Sequence, residues 1–134
     1  MALMPPIEYD DASPDVRAVY DAIRAARNID YINAFWKVLA NDPETLKSTW
    51  EQTRRTMAAG ALDPLAKELV YLAVSITNNC EYCIHTHHAA ATAKGMTEPM
   101  FAEMLAVVAL ANGNNRLANG YRVDVDERYR RTAG

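Results

Sequence analysis

The sequence predicts an all-α fold, organised as a single domain over residues 1–134. Three observations carry this prediction. Alanine is abundant while glycine occurs only five times, which favours helix. Four of the six prolines stand just after a side chain able to cap free backbone N–H groups, as first-turn prolines do. Apolar residues recur at three- and four-residue spacing, and no segment alternates convincingly with period two.

Taken in order, about six or seven helices emerge. The first, over about 14–28, starts at Ser13-Pro14 and spaces Val16, Val19, Tyr20, Ile23 and Ala26 along one face. A short one, about 31–40, carries Ile32, Phe35, Trp36 and Leu39. The third, about 43–59, opens on Asp42-Pro43 and closes near Gly60. The fourth, about 64–77, opens on Asp63-Pro64. Its apolar run from Val70 to Ile76 has strand-like composition, but the Asp-Pro start and the length favour a buried helix. The fifth spans about 80–94 and stops at Gly95. A sixth, about 98–112, begins at Thr97-Glu98-Pro99, and a shorter one follows at about 114–121. The charged tail from Asp124 to Arg131 is expected to fray or to dock on a neighbour. Trp36 and Trp50 read as core or interface anchors.

Charge and hydropathy exclude several classes. Net charge is -3 and the pI about 5.6, so nothing suggests nucleic acid or an anionic membrane as partner. No apolar run reaches the roughly 18 residues of a membrane span. Met1-Ala-Leu-Met-Pro-Pro lacks the layout of a signal peptide, so the cytoplasm is the expected location. There, two cysteines two residues apart point to catalysis or metal binding rather than to a structural staple.

Those cysteines, Cys80 and Cys83, belong to a constellation that includes His87 and Glu68. On one helix Cys80, Cys83 and His87 stand at 0, +3 and +7, which is one narrow face at about 100° per residue. Cys83 and His87 form an i,i+4 pair. The nucleophile of a cysteine is its thiolate. A neutral imidazole can accept the thiol proton, and the helix N-terminus favours the resulting negative charge. Together these can draw a thiol from roughly 8.5 towards neutrality. Glu68, Leu72, Ser75 and Asn79 share a face of the preceding helix. If the two helices are antiparallel, Glu68 reaches the region of Cys83 and His87 and can orient the imidazole or pass a proton through water.

Plainer readings compete at each position. The cysteines can be two small buried hydrophobes. A zinc site from Cys80, Cys83, His87 and an acid lacks the second ligand pair that structural zinc sites bring. Glu68 alone can be an exposed helix-face carboxylate, with Lys67 solvated beside it. His87 alone would be a surface or packing residue; its spacing to Cys83 lifts it. His85 and His88 point away from the Cys80 direction by about 140° and 80°, and so read as ordinary helix neighbours. Tyr82 points elsewhere again and is expected to pack on another helix or subunit.

The spaced pattern Lys67-Glu68, eleven residues, Cys80-x-x-Cys83, three residues, His87 resembles the alkylhydroperoxidase AhpD-like proteins of the carboxymuconolactone decarboxylase superfamily. Leu62-Asp63-Pro64, Ser75-Ile76-Thr77-Asn78-Asn79, Gly95 and Asn115-Arg116-Leu117-Ala118 agree with it. The resemblance is strongest over about 60–120 and extends more weakly to 13–59. It implies an all-helical AhpD-like bundle whose chains associate, as a trimer or hexamer, and thiol-dependent reduction of organic or hydrogen peroxides in antioxidant defence. No cofactor or resident metal is implied. By resemblance Cys83 is the peroxidatic thiol, Cys80 resolves the sulfenic acid as a Cys80–Cys83 disulfide, and His87 and Glu68 form the proton relay. A dithiol reductant, of protein or lipoyl type, restores the pair.

Three features depart from the family pattern. Tyr82 stands where the alkylhydroperoxidase that names the family has a His, which removes one possible relay member. Asn119 stands where relatives commonly have Asp. The chain is short, with a single copy of the helical motif. Alternative functions are a lactone enzyme of the decarboxylase type, a general disulfide reductase, and a redox-sensing helical oligomer. Independently of the resemblance, the early cluster of Tyr31, Phe35, Trp36 and Trp50 in an apolar-rich helical chain suggests self-association.

Overall fold

The computed structural model describes residues 1–130; Arg131 of the charged tail lies outside them. Six α-helices and two 3-10 turns make up the described chain, with no strand among these residues. The helices are α1 (Pro14–Arg27), α2 (Ala34–Leu39), α3 (Pro43–Met57), α4 (Pro64–Thr77), α5 (Glu81–Ala93) and α6 (Glu98–Tyr121). The 3-10 turns, Tyr9–Asp11 and Glu127–Tyr129, carried no periodic signal.

The four proline-marked helix starts are all present. Ser13, Asp42, Asp63 and Thr97 accept hydrogen bonds from the N–H groups of Val16, Thr45, Ala66 and Met100, with proline in the first turn each time. Each cap satisfies a donor that has no partner inside the helix. The helix ends follow the sequence less closely. Gly95 closes α5 with φ 105. Gly60 does not cap α3: that helix stops at Met57 on an extended Ala58, and Gly60 lies in the following loop, donating its N–H to the Leu62 carbonyl.

The expected break near residue 113 is absent. α6 runs unbroken for 24 residues through Gly113. One interior glycine costs a helix only about 1 kcal/mol. Apolar packing from Met100, Phe101 and Met104 and a 3.1 Å hydrogen bond from Asn112 to Thr77 of α4 outweigh it.

The chain divides into two compact units, Met1–Ala58 and the segment from Ala59 onward. In the first, α1 buries Val16, Val19, Tyr20 and Ile23 against Ile32, Trp36, Leu46 and Trp50, whereas Ala26 is exposed. The Trp36 and Trp50 rings meet edge to face at 5.7 Å, so both serve as core anchors. In the second unit α4 packs on α5 and α6 around Leu72, Ala91 and Met96. α4 is helical as expected but buries only one face: Glu68, Leu72 and Ser75 are inside, while Val70 and Val74 are more than half exposed.

Candidate active site

The α4–α5 hairpin is set by its turn. Asn79 takes a left-handed conformation with φ 57, which asparagine tolerates better than most side chains. Its N–H donates to the Ile76 carbonyl at 3.2 Å, and the Cys80 N–H donates to the Ser75 carbonyl at 3.0 Å. This pair of bonds is a Schellman closure, and it leaves no loop to spare before α5. Asn79 therefore does not continue the Glu68–Leu72–Ser75 face; it makes the reversal possible.

Cys80 is the N-cap of α5, and its sulfur accepts from the Cys83 N–H at 3.3 Å. Cys80 and Cys83 form a disulfide with their Cα atoms 5.3 Å apart. Both are half-buried, so the pair is neither a core plug nor fully solvated. In this oxidised form both thiolates that a zinc site would require are engaged with each other.

Glu68 is 4% exposed, which removes its reading as a solvated helix-face carboxylate. Its Oε2 lies 2.7 Å from His87 Nδ1, the contact that an antiparallel hairpin would make. Its Oε1 accepts from Lys94 Nζ at 2.9 Å. Burial pushes the Glu68 carboxyl up; the hydrogen bonds and charge of His87 and Lys94 more than offset this and hold it below its ordinary value. An ionised carboxylate only accepts, so His87 Nδ1 donates to it. When the ring is neutral, Nε2 is then its acceptor. The Tyr71 ring stacks on the His87 ring with centroids 3.6 Å apart and planes 21° from parallel.

The remaining candidates fall away from this cluster. His85 is exposed, and His88 meets the edge of Phe101 at 4.7 Å. Tyr82 is 40% exposed. A Cβ placed on Gly60 would sit 3.6 Å from Lys67 Nζ, so Lys67 reaches towards that loop. Two residues of the cluster, Lys94 and Tyr71, went unread in the sequence. Lys94 stands seven residues after His87, on the same helical face as Cys80, Cys83 and His87, so helical phase could have found it. Tyr71 is three residues after Glu68, and only the register of the hairpin brings it over the imidazole.

The carboxymuconolactone decarboxylase family model matches residues 43–125, well over half the chain. The chain belongs to the carboxymuconolactone decarboxylase family. A crystal structure described as the alkylhydroperoxidase AhpD core from Rhodospirillum rubrum is 48% identical over 96% of this chain and 97% of that one, with a TM-score of 0.92. No curated protein matches the chain. Within the carboxymuconolactone decarboxylase family, the Cys80–Cys83 disulfide and the all-helical architecture align this member with the AhpD core fold.

Proposed function

We propose that this chain is a thiol peroxidase that reduces hydrogen peroxide or an organic hydroperoxide with electrons from a dithiol. The Cys83 thiolate attacks the peroxide, an S–O bond forms and the O–O bond breaks. Sulfur is oxidised to the sulfenic acid, and the departing oxygen takes a proton to leave as alcohol or water. The Cys80 thiol then attacks the sulfenic sulfur and releases water, giving the disulfide. A dithiol reductant, of protein or lipoyl type, returns two electrons and two protons by exchange and is itself oxidised to a disulfide. His87 takes the Cys83 proton and delivers it to the leaving oxygen, while Glu68 orients the imidazole.

The observation that carries this reading is the 2.7 Å contact between Glu68 and His87, with His87 one turn beyond Cys83 on α5. The test is steady-state peroxide reduction with a small dithiol. Wild-type protein should lose two thiols to peroxide and regain them with the dithiol. Cys83→Ser should lose at least about a hundredfold in rate. Full turnover by Cys83→Ser would refute the mechanism, and lactone turnover surviving in the double Cys→Ser variant would assign decarboxylase-type chemistry instead.

Self-association, as a trimer or hexamer, is part of the proposal. Val107, Leu110 and Leu117 form an exposed apolar stripe on α6, and Val70 and Val74 form another on α4. Stripes at such spacing suit a helical partner. The described residues contain no helix long and apolar enough to cross a membrane, and a reducing cytoplasm suits a pair that cycles through its dithiol form.

A further inference from the structure

Lys94 has no part in the chemistry proposed above, yet it makes one of the two contacts that hold Glu68. It is the C-cap of α5, where its carbonyl neighbours also favour a cation. The turn that follows is closed by Gly95 at φ 105, with the Gly95 and Met96 N–H groups donating to the Thr92 and Ala91 carbonyls at 3.0 Å each. Met96 is buried, which pins this turn and with it the base of the Lys94 side chain. The ammonium bridges back to Glu68 Oε1, opposite the oxygen that meets His87.

We propose that Lys94 is a positioning residue that commits His87 to the tautomer needed for proton transfer. A neutral imidazole can carry its proton on either nitrogen, and the partner of Nδ1 decides which. A protonated Glu68 could donate to Nδ1 and drive the ring proton to Nε2, leaving no acceptor for a thiol proton. An ammonium has donors and no acceptor, so it selects the ionised carboxylate. Glu68 can then only accept, Nδ1 must donate, and Nε2 is left as the acceptor. Tyr71 completes the restraint by holding the plane of the ring.

α4 presents Glu68 and Tyr71, and α5 presents the cysteine pair, His87 and Lys94. From α6, Asn112 meets Thr77, Phe101 meets the edge of His88, and Met100 and Met104 pack with the Leu72 cluster; none of these four α6 side chains can charge.

The role of Lys94 rests on the peroxidase reading for its kinetic consequence but not for its tautomeric one, so two measurements separate them. The variants are Lys94→Met and Lys94→Arg in the full chain. The first measurement is the pH profile of kcat/KM for hydrogen peroxide with a small dithiol. Loss of the ammonium eases protonation of Glu68, so the acid limb for Lys94→Met should move to higher pH by about half a unit to one unit. On that limb the rate should fall about three- to tenfold, with Lys94→Arg close to wild type. A merely structural salt bridge would lower the melting temperature and leave the acid limb where it was. The second is 15N NMR of the His87 ring, which reads the tautomer without any turnover. Just above the wild-type acid limb, wild type and Lys94→Arg should show a protonated Nδ1 and an acceptor Nε2, and Lys94→Met a mixture. Identical ring signals in wild type and Lys94→Met would overturn the proposal. Absence of peroxide turnover in wild type with the tautomer shift intact would sink the peroxidase reading and leave the role of Lys94 standing.

Discussion

Glu68 shows how a buried carboxylate is kept charged. At 4% exposure it has lost most of its water, and an unpaired charge there would cost several kcal/mol. His87 and Lys94 each take one oxygen, so the desolvation is offset by two charge-assisted hydrogen bonds. Its carboxyl is held below the ordinary 4.5, so the folded state binds this proton less readily than the unfolded state. The stability it contributes is therefore complete above that ordinary value and is lost as pH falls through the lower folded one. Glu68→Gln should cost about 1–3 kcal/mol at neutral pH. Its unfolding midpoint should also fall less steeply than that of wild type as pH drops below about 4.5, because the variant has no such proton to bind. Urea melts across the acid range measure both effects. Parallel wild-type and variant curves would show that Glu68 is not ionised against these partners.

At the scale of elements, helix starts were legible because they are local. A capping oxygen and a proline within a few residues decide where free N–H groups are satisfied, and all four such starts are formed. Helix ends were less legible. Asn79 and Gly95 both take left-handed turns, but only the glycine announced itself by type. The run through Gly113 went against the local signal because packing on α4 outweighs one residue's propensity. No heavy atom lies within 4 Å of a Cβ built there, and the residue is helical. Gly113→Ala should thus raise stability by about 0.5–1 kcal/mol, seen as a higher urea midpoint at unchanged slope. A lower midpoint would mean that the position is crowded by a partner chain or that the helix is broken in solution.

Across the molecule, the two units differ in how completely they bury their apolar residues. The first encloses Tyr20, Trp36, Trp50 and several aliphatics. In the second the buried cluster is Leu72, Ala91 and Met96, and α6 contains no buried residue. Leaving Val107, Leu110, Leu117 and Tyr121 exposed on one helix is unusual for an isolated chain. Light scattering should therefore give a mass that is a multiple of 14.9 kDa. Leu110→Glu, changing a side chain that is 65% exposed, should shift that mass towards the single chain without unfolding it. A single-chain mass for wild type, independent of concentration, would end the self-association proposal.

The sequence by itself determined what depends on neighbours along the chain. That covers the all-α class, the capped helix starts, and the placing of Cys80, Cys83 and His87 on one face, which follow from backbone capping and a fixed angle per residue. The partners of Glu68 stayed conditional on an antiparallel packing of α4 and α5, and tertiary structure decided them. The meeting of Glu68 with His87, the bridge to Lys94 and the Tyr71 ring over the imidazole all depend on the register of α4 against α5. That register is set by a left-handed Asn79 and by packing around Leu72 and Ala91, so it is a property of two helices together, which no local pattern encodes.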